Sequence, residues 1–313
     1  AFIDRMYLTR ASSLRVGRAR YMVMLREDGM VLDDGLVMRL AADRFVATVS
    51  TGHADSVLSH LEFWRSGEFG GRGVALAELT EGWAVIAVSG PASRDRLLAV
   101  LGHEWSDPVQ SLSHMQFAAG QYRAMPLRVL RASFSGELAF ELHVHPSAAP
   151  PLWEALQAAA VLPYGLEALD ILRVEKGYLT GSEMSGQTTP QDLGMQALLK
   201  SGNDCIGRAL LDRPAFEEPS RPRLVGLRSL NPEEPFFAGA QLTRPDQEHG
   251  SAGYVTSSVC SPSLQMWLGL ALLSREIAEG FEVMARDPLR GRNTRVRVTS
   301  PVHLDPDGTR MRT

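Results

Sequence analysis

The sequence predicts an α+β protein of two or three domains that ends in a β-rich part. At ~150 residues per domain, 313 residues correspond to about two domains, and three small ones are also possible. Before residue 166 the hydrophobic pattern alternates between helix-like and strand-like segments. After residue 222 it consists of short strand-like segments separated by glycines and prolines.

The composition is that of a globular protein with enough apolar side chains for several cores. Hydrophobic residues make up 44% of the chain and charged residues 22%. The formal net charge of -4 gives no general attraction to nucleic acid or to an anionic membrane. No apolar run reaches the ~20 residues of a membrane span, and no secretion signal is recognisable. We therefore expect a cytoplasmic protein without nucleic-acid or membrane partners.

The first forty residues predict a short helix followed by a β-hairpin. Residues 1–7 place apolar side chains on one side of a helix that lacks a starting cap, so we expect part of this domain to lie upstream. Two apolar runs between residues 20 and 40 flank Glu27, Asp28 and Gly29. An acidic residue followed by Gly between such runs is typical of a hairpin turn.

Residues 42–165 predict a ferredoxin-like α+β domain. The patterns follow the order strand, helix, strand, strand, helix, strand, with extra elements, which is the split β-α-β arrangement. In chain order the predicted segments are RFVATVST, HADSVLSHLEFW, VALAEL, WAVIAVSG, SRDRLLAVL, LRVLRASF, LAFELHV and PLWEALQAAA.

The remaining chain predicts one helix, a linker and a small barrel. The helix covers residues 166–177 and ends at Gly177, a residue type that commonly ends helices in the left-handed conformation. Residues 188–190 predict the start of a further helix, and prolines between 212 and 222 indicate a linker. The segments RLVGLRSL, GAQLTR, GYVTSSV, LQMWLGLALL, FEVMA and TRVRVTS then predict an antiparallel β-barrel.

Asp33 and Asp34 are the first candidates for chemistry. Successive side chains of a strand point to opposite faces, so we expect one carboxylate to face inward and the other outward. Desolvation of the inward carboxylate would raise its pKa towards the range of a proton acceptor. The structural alternative is a pair of turn residues that cap the hairpin, and the residues alone leave both interpretations open.

Two further candidate clusters are equally open. Glu141 lies in the predicted strand LAFELHV, where a surface position is the structural alternative. Arg173 stands three residues after Asp170, a spacing that allows a surface ion pair on a helix. Tyr178 lies between two glycines, which predicts an irregular loop of the kind that displays functional groups.

Several other kinds of site are not supported. The segment GEFGGRG does not follow a strand and open a helix, so it does not predict a dinucleotide loop. No phosphate-binding G-x-x-x-x-G-K-[ST] motif and no G-x-S-x-G nucleophile motif occurs. The cysteines Cys205 and Cys260 cannot form a disulfide framework, and no Cys/His spacing indicates a metal site.

Five segments together resemble the glycine-cleavage T-protein (aminomethyltransferase) superfamily. They are REDGMVLDDGLV (26–37), SFSGELAFEL (133–142), LRVEKGYLTGSE (172–183), TTPQDLGM (188–195) and GYVTSSVCSPSLQ (253–265). Within that superfamily, VGRARYMVMLREDGMVLDDG and the ending VTSPVHLDPDG are most similar to the C-terminal folate-binding region of the heterotetrameric sarcosine oxidase α subunit.

The resemblance implies a three-domain cloverleaf around a central folate pocket, truncated at its N-terminus. Its first, folate-binding domain would be discontinuous, with residues 1–41 joining 166–215. The ferredoxin-like domain would be 42–165, and the barrel domain 216–313. Flavin and NAD would belong only to other parts of a sarcosine oxidase complex.

The resemblance also implies roles for individual residues. Asp34 matches the catalytic carboxylate, and Glu141 matches the residue that holds the amino-pyrimidine edge of the pterin, since two N–H donors can meet its two oxygens. Arg173, Phe134 and Tyr178 are implied as further tetrahydrofolate-binding residues. Phe134 stands where many relatives have Tyr, which removes one hydroxyl. Tyr178 replaces the Cys of relatives that support iron–sulfur proteins, which argues against that role.

The implied function is tetrahydrofolate-dependent one-carbon transfer. The enzyme would capture the amine-derived iminium from sarcosine oxidation and give 5,10-methylenetetrahydrofolate, with other sarcosine oxidase subunits as partners. Two alternatives stay open: a stand-alone aminomethyltransferase of the glycine cleavage type, and a non-catalytic folate-binding regulatory module.

Overall fold

The computed structural model describes residues 1–245 and 250–312 and contains three antiparallel β-sheets there. The α-helices are α1 (Phe2–Met6), α2 (Ala54–Ser66), α3 (Ser93–Leu101), α4 (Ser106–Ser111), α5 (Ala149–Ala158), α6 (Leu166–Lys176) and α7 (Gln196–Leu199). The strands are β1 (Ala19–Leu25), β2 (Val31–Arg39), β3 (Phe45–Ala47), β4 (Ala84–Ser89), β5 (Gln116–Tyr122), β6 (Met125–Arg131), β7 (Ala139–Val144), β8 (Pro222–Ser229), β9 (Gln241–Thr243), β10 (Gly253–Ser261), β11 (Met266–Ser274), β12 (Glu282–Asp287) and β13 (Arg292–Thr299). None of the helices in this part of the chain is long and apolar enough to cross a membrane.

The first sheet has the order β1-β2-β3 and confirms the hairpin predicted for residues 20–40. One of its faces packs against α1 and α2 in a buried cluster that includes Met22, Met24 and Val57. The predicted boundary after residue 41 is therefore wrong: β3 pairs with the free edge of β2, and α2 buries its apolar side on the same sheet. The other predicted domain boundaries stay predictions.

The second sheet has the order β4-β7-β6-β5, with α3, α4 and α5 packed on the face that carries Phe140 and Leu142. It confirms the α+β character of this part, but its elements differ from the ferredoxin-like order. Residues 74–79 form no strand, because most of their side chains are exposed and have no core to face. The fourth strand is β5, which the sequence analysis did not identify.

The third sheet is the closed barrel that the sequence predicts for the C-terminal part, in the order β10-β11-β8-β13-β12-β9. Alternating apolar side chains from these strands fill its interior, among them Leu227, Leu242 and Val296. Helix α6 packs on the outside of the barrel through Val174. Gly177 ends α6 with a φ of 73°, as predicted. The helix predicted to begin at 188 is wrong in extent, since only α7 is helical there.

Candidate active site between the sheets

The side chains of Asp33 and Asp34 lie on opposite faces of β2, and both are shielded from water. Asp33 is only 2% exposed. Its Oδ1 lies 3.0 Å from Nδ1 of His53, and its Oδ2 accepts the Ser50 N–H at 3.0 Å. The two carboxylates therefore face opposite ways, as expected, but neither is fully exposed: α2 and the turn before it cover Asp33, and Asp34 is half-buried.

Of the two carboxylates, Asp34 is the one whose pKa is strongly raised. Burial is the largest cause and raises its pKa to about 6, and the nearby charge of Asp33 acts in the same direction. The hydroxyl of Tyr21 donates a hydrogen bond that opposes the rise, and His53 opposes it as well. A carboxyl group with this pKa exchanges its proton near neutral pH, as a general base must.

Glu141 lies on β7, and its side chain is 24% exposed. Its Oε2 is 3.2 Å from Nε2 of His143, a buried residue two positions further along the same strand face. Ala87 of β4 lies directly opposite Glu141 and is exposed, so the space beside this carboxylate is open.

The sheet faces that carry Asp34 and Glu141 pack against each other. Met38 lies on the same face of β2 as Asp34, and it belongs to one buried cluster with Leu130 of β6. Leu130 is the direct cross-strand partner of Glu141. The faces of β2 and β7 that carry the two predicted carboxylates therefore meet at one buried cluster.

The other three predicted residues form a second group. The rings of Phe134 and Tyr178 stack with centroids 5.8 Å apart and planes inclined by 16°. Arg173 is 4% exposed, and its NH1 donates to the Tyr178 carbonyl oxygen. Among the described residues, no hydrogen bond or ion pair joins this group to Asp34 or Glu141.

Arg173 is held by a dense polar network rather than left free. Its Nε donates to Asp170 at 2.6 Å, and its NH2 donates to Ser257 of the barrel at 2.7 Å. Glu183, which is fully buried, lies 3.5 Å away and also accepts from Ser257. The guanidinium therefore ties α6, the loop after it and the barrel together.

Sequence reasoning missed several residues around the carboxylates. His143 had a usable signal, since it follows Glu141 by two residues in a predicted strand. Tyr21 had one as well, because pairing outward from the hairpin turn places it opposite Leu36, diagonally across from Asp34 on the same sheet face. His53 had none, because only the packing of α2 on the first sheet brings it to Asp33.

Comparisons with known families agree with this architecture. The family model "GCVT N-terminal domain" matches residues 1–202, and "Glycine cleavage T-protein C-terminal barrel domain" matches residues 223–305. An aminomethyltransferase from Saccharopolyspora erythraea is 32% identical over 95% of this chain and 80% of its own length. The crystal structure of glycine cleavage system aminomethyltransferase T from Bartonella henselae has a TM-score of 0.83 at 26% identity, covering 97% of this chain and 81% of that one.

Sarcosine oxidase subunits are similar to the chain over almost its whole length. The sarcosine oxidase subunit alpha of Rhizobium meliloti (strain 1021) is 36% identical over 99% of this chain. That of Corynebacterium sp. (strain U-96) is 34% identical over the same share. The chain spans only 32% and 33% of the length of these two relatives. With both family models matched in order, the chain belongs to the glycine cleavage T-protein family and is an aminomethyltransferase-type enzyme domain homologous to part of the sarcosine oxidase α subunit.

Proposed function

We propose that this chain binds tetrahydrofolate at the junction of the first two sheets and captures the iminium formed by oxidation of sarcosine. The two folate nitrogens bond in turn to the iminium carbon, the original C–N bond breaks, and glycine leaves with the two protons that the nitrogens lose. The product is 5,10-methylenetetrahydrofolate, and partner subunits with a flavin carry out the oxidation. The observation that carries the proposal is the placement of Asp34, with its pKa of about 6, on a sheet face that packs against the face of Glu141. The similarity to sarcosine oxidase α subunits supports the choice of donor.

The residues present fit a reduced folate. Glu141 has His143 as its protein partner, which leaves carboxylate oxygen for the two adjacent N–H donors of an amino-pyrimidine edge. The exposed Ala87 beside it leaves room for a flat ring. Phe134 is 41% exposed and, stacked on Tyr178, offers an aromatic surface to the same ligand.

Asp34 is the residue proposed to handle charge and proton. Bound tetrahydrofolate supplies an amine nitrogen that is nucleophilic towards an iminium carbon. Above about pH 6 the Asp34 carboxylate is ionised, stabilises the positive charge that develops on that nitrogen and accepts its proton. Tyr21 fixes the direction of the carboxylate, and burial raises the pKa of Tyr21 itself, so its hydroxyl remains a donor.

Arg173 is proposed as a positioning residue. Its bonds to the Tyr178 carbonyl, Asp170 and Ser257 hold the Tyr178 loop against the barrel. A contact between Arg173 and the folate itself stays a prediction from the family resemblance.

Replacement of Asp34 by Asn tests the proposal in the assembled enzyme with its partner subunits. Sarcosine consumption and methylene-folate formation are measured in the same reaction. We expect sarcosine oxidation to be unchanged and folate-dependent capture to fall by about 10²–10⁴, the usual contribution of a general base. Asp95→Asn, at an exposed carboxylate, is the matched control and should leave both rates unchanged. Full capture in the Asp34 variant would contradict the role.

A stand-alone aminomethyltransferase is the second candidate, and one observation favours it: the chain covers 80% of the Saccharopolyspora erythraea aminomethyltransferase. Turnover of an aminomethyl group presented on a lipoyl carrier protein, with no flavin subunit, would support this candidate. Folate binding by calorimetry without turnover of either donor would support a non-catalytic folate-binding module.

A further inference from the structure

Among the described residues, Arg128 is a buried cation without an anionic partner. It lies on β6 and is 8% exposed. Its Nε is enclosed and has no hydrogen-bond partner within residues 1–245 and 250–312, and burial alone, with no nearby charge, lowers the pKa of its guanidinium. Its guanidinium carbon lies 4.7 Å from the centroid of the Trp83 ring. Burial of an unpaired charge is costly, so such a group points to a ligand that pairs with it.

Arg128 lies beside the carboxylate that is proposed to hold the pterin. It is the direct cross-strand partner of His143, the residue that contacts Glu141. Glu141 is a diagonal neighbour of Arg128 on the same sheet face, and diagonal neighbours are within reach of long side chains. Val85 is opposite His143 on β4 and is 53% exposed, so the space over this part of the sheet is open.

The two charged groups have complementary hydrogen-bonding abilities. The Glu141 carboxylate only accepts, whereas the Arg128 guanidinium only donates. The Trp83 ring packs against the guanidinium and restricts its movement. Together they match a ring edge that presents two donors followed by one acceptor.

We propose that Arg128 is a specificity residue that donates to the 4-oxo oxygen of the pterin whose amino and ring N–H groups are held by Glu141. The inference rests on the proposed function and deepens it. The pair selects 2-amino-4-oxopteridines over 2,4-diaminopteridines, because a 4-amino group would direct N–H donors at a guanidinium that has only donors.

Calorimetric titration with two matched ligands tests this assignment on the full chain. The ligands are tetrahydrofolate and its 4-amino-4-deoxy counterpart, used without oxygen, and the measured quantity is the ratio of their dissociation constants. We expect the wild type to prefer the 4-oxo ligand by about tenfold or more, as one charged hydrogen bond allows. Arg128→Met should lose most of that preference. Arg123→Met is the matched control, since that arginine is exposed and lies over the ring of Tyr122, and the ratio of this variant should stay at the wild-type value.

Thermal unfolding shows whether each variant folds. Trp83→Leu keeps the charge of Arg128 but removes the ring that packs against it. The preference of this variant for the 4-oxo ligand should therefore also fall, but by less than the preference of Arg128→Met. If Arg128→Met does not fold, the ratio of Trp83→Leu decides. A wild-type ratio in the folded variants overturns the assignment of Arg128 and leaves folate binding intact. If the wild type binds neither ligand, the proposed function itself falls and takes this inference with it.

Discussion

Asp33 and Asp34 are neighbours in one strand, yet different parts of the protein hold their carboxylates. The Asp33 side chain is enclosed under α2 and meets His53 and a backbone N–H. The Asp34 side chain meets Tyr21 on the opposite face. Strand alternation alone separates the two, so one adjacent pair supplies both a carboxylate with structural partners and, in Asp34, a titrating acid.

Asp34→Asn should stabilise the fold near neutral pH. The pKa of Asp34 is raised by burial to about 6 in the folded protein, so the folded form binds the proton more tightly than the unfolded chain does. That contribution to stability is complete below about pH 4 and is lost as the pH rises through about 6. Asn carries no charge, so the stability of the variant does not fall in this way as the pH rises.

The free energy of unfolding of the Asp34→Asn variant should therefore exceed that of the wild type by about 1–3 kcal/mol above pH 6. The difference should shrink to near zero at about pH 4. Urea unfolding at several pH values measures it. A constant difference at all pH values would show that Asp34 does not titrate as described.

At this scale the sequence singled out Asp34, Glu141 and Arg173 as candidates, whose roles stay predictions, but it did not indicate what surrounds them. Their residue types and spacings are visible in the chain. The enclosure of Asp33 by His53 and the stacking of Arg128 on Trp83 depend on contacts between residues far apart in sequence. No local pattern encodes such contacts.

At the scale of single elements, the glycine that ends α6 also allows another segment of the chain to pack closely against the helix. Gly177 ends the helix with a positive φ, and a Cβ there would lie 2.6 Å from the Pro301 carbonyl oxygen. Directly after Pro301, the N–H groups of His303 and Leu304 donate to the Glu175 carbonyl oxygen. The glycine therefore permits both the turn of the chain and the close approach of the C-terminal segment.

Gly177→Ala should lower the free energy of unfolding by more than the ~1 kcal/mol cost of a left-handed alanine, because Pro301 must also move. Gly181→Ala is the matched control: a Cβ there meets nothing within 4 Å and the φ is not positive, so stability should change little. Denaturant titration compares the two variants. Equal stabilities would contradict the close contact.

The strands were predictable where hairpins and alternating apolar residues coincide, as in β1 with β2 and in the barrel. Strand β5 was missed because its sequence, QFAAGQY, is rich in small and polar residues and exposes three consecutive positions. Residues 74–79 were overpredicted for the opposite reason: the apolar pattern is present, but no core lies opposite. The hydrophobic pattern of a segment shows which side chains it could bury. Whether they are buried depends on the elements that the rest of the fold packs against it.

At the scale of the whole molecule, Asp192 joins the loop before α7 to the barrel. Its carboxylate is fully buried and forms ion pairs with Arg221 and Arg275. Thr189 donates to the same group through its N–H and its hydroxyl, both at 2.9 Å. A backbone hydrogen bond joins the same two parts, since the Leu224 N–H of β8 donates to the Asp192 carbonyl oxygen.

Asp192→Asn should lower the free energy of unfolding by about 3–5 kcal/mol, because it leaves two partly buried arginines without an anion. Asp212→Asn is the matched control. It removes one exposed ion pair with Arg208 and should cost less than about 1 kcal/mol. Equal losses in urea unfolding would contradict the joining role of Asp192.

The segment after β13 links parts of the molecule that are otherwise separate. Asp305 pairs with Lys176 of α6, the Met311 carbonyl oxygen accepts from Arg131 of β6, and the Met311 sulfur accepts from the Tyr178 hydroxyl. A protease that cut the chain just after residue 300 would spare the main hydrophobic core of each of the three sheets. It would remove the support that Met311 gives to Tyr178, while the bonds of Arg173 to the same loop remain, so we expect a clipped preparation to keep its cores and to bind the proposed pterin less tightly.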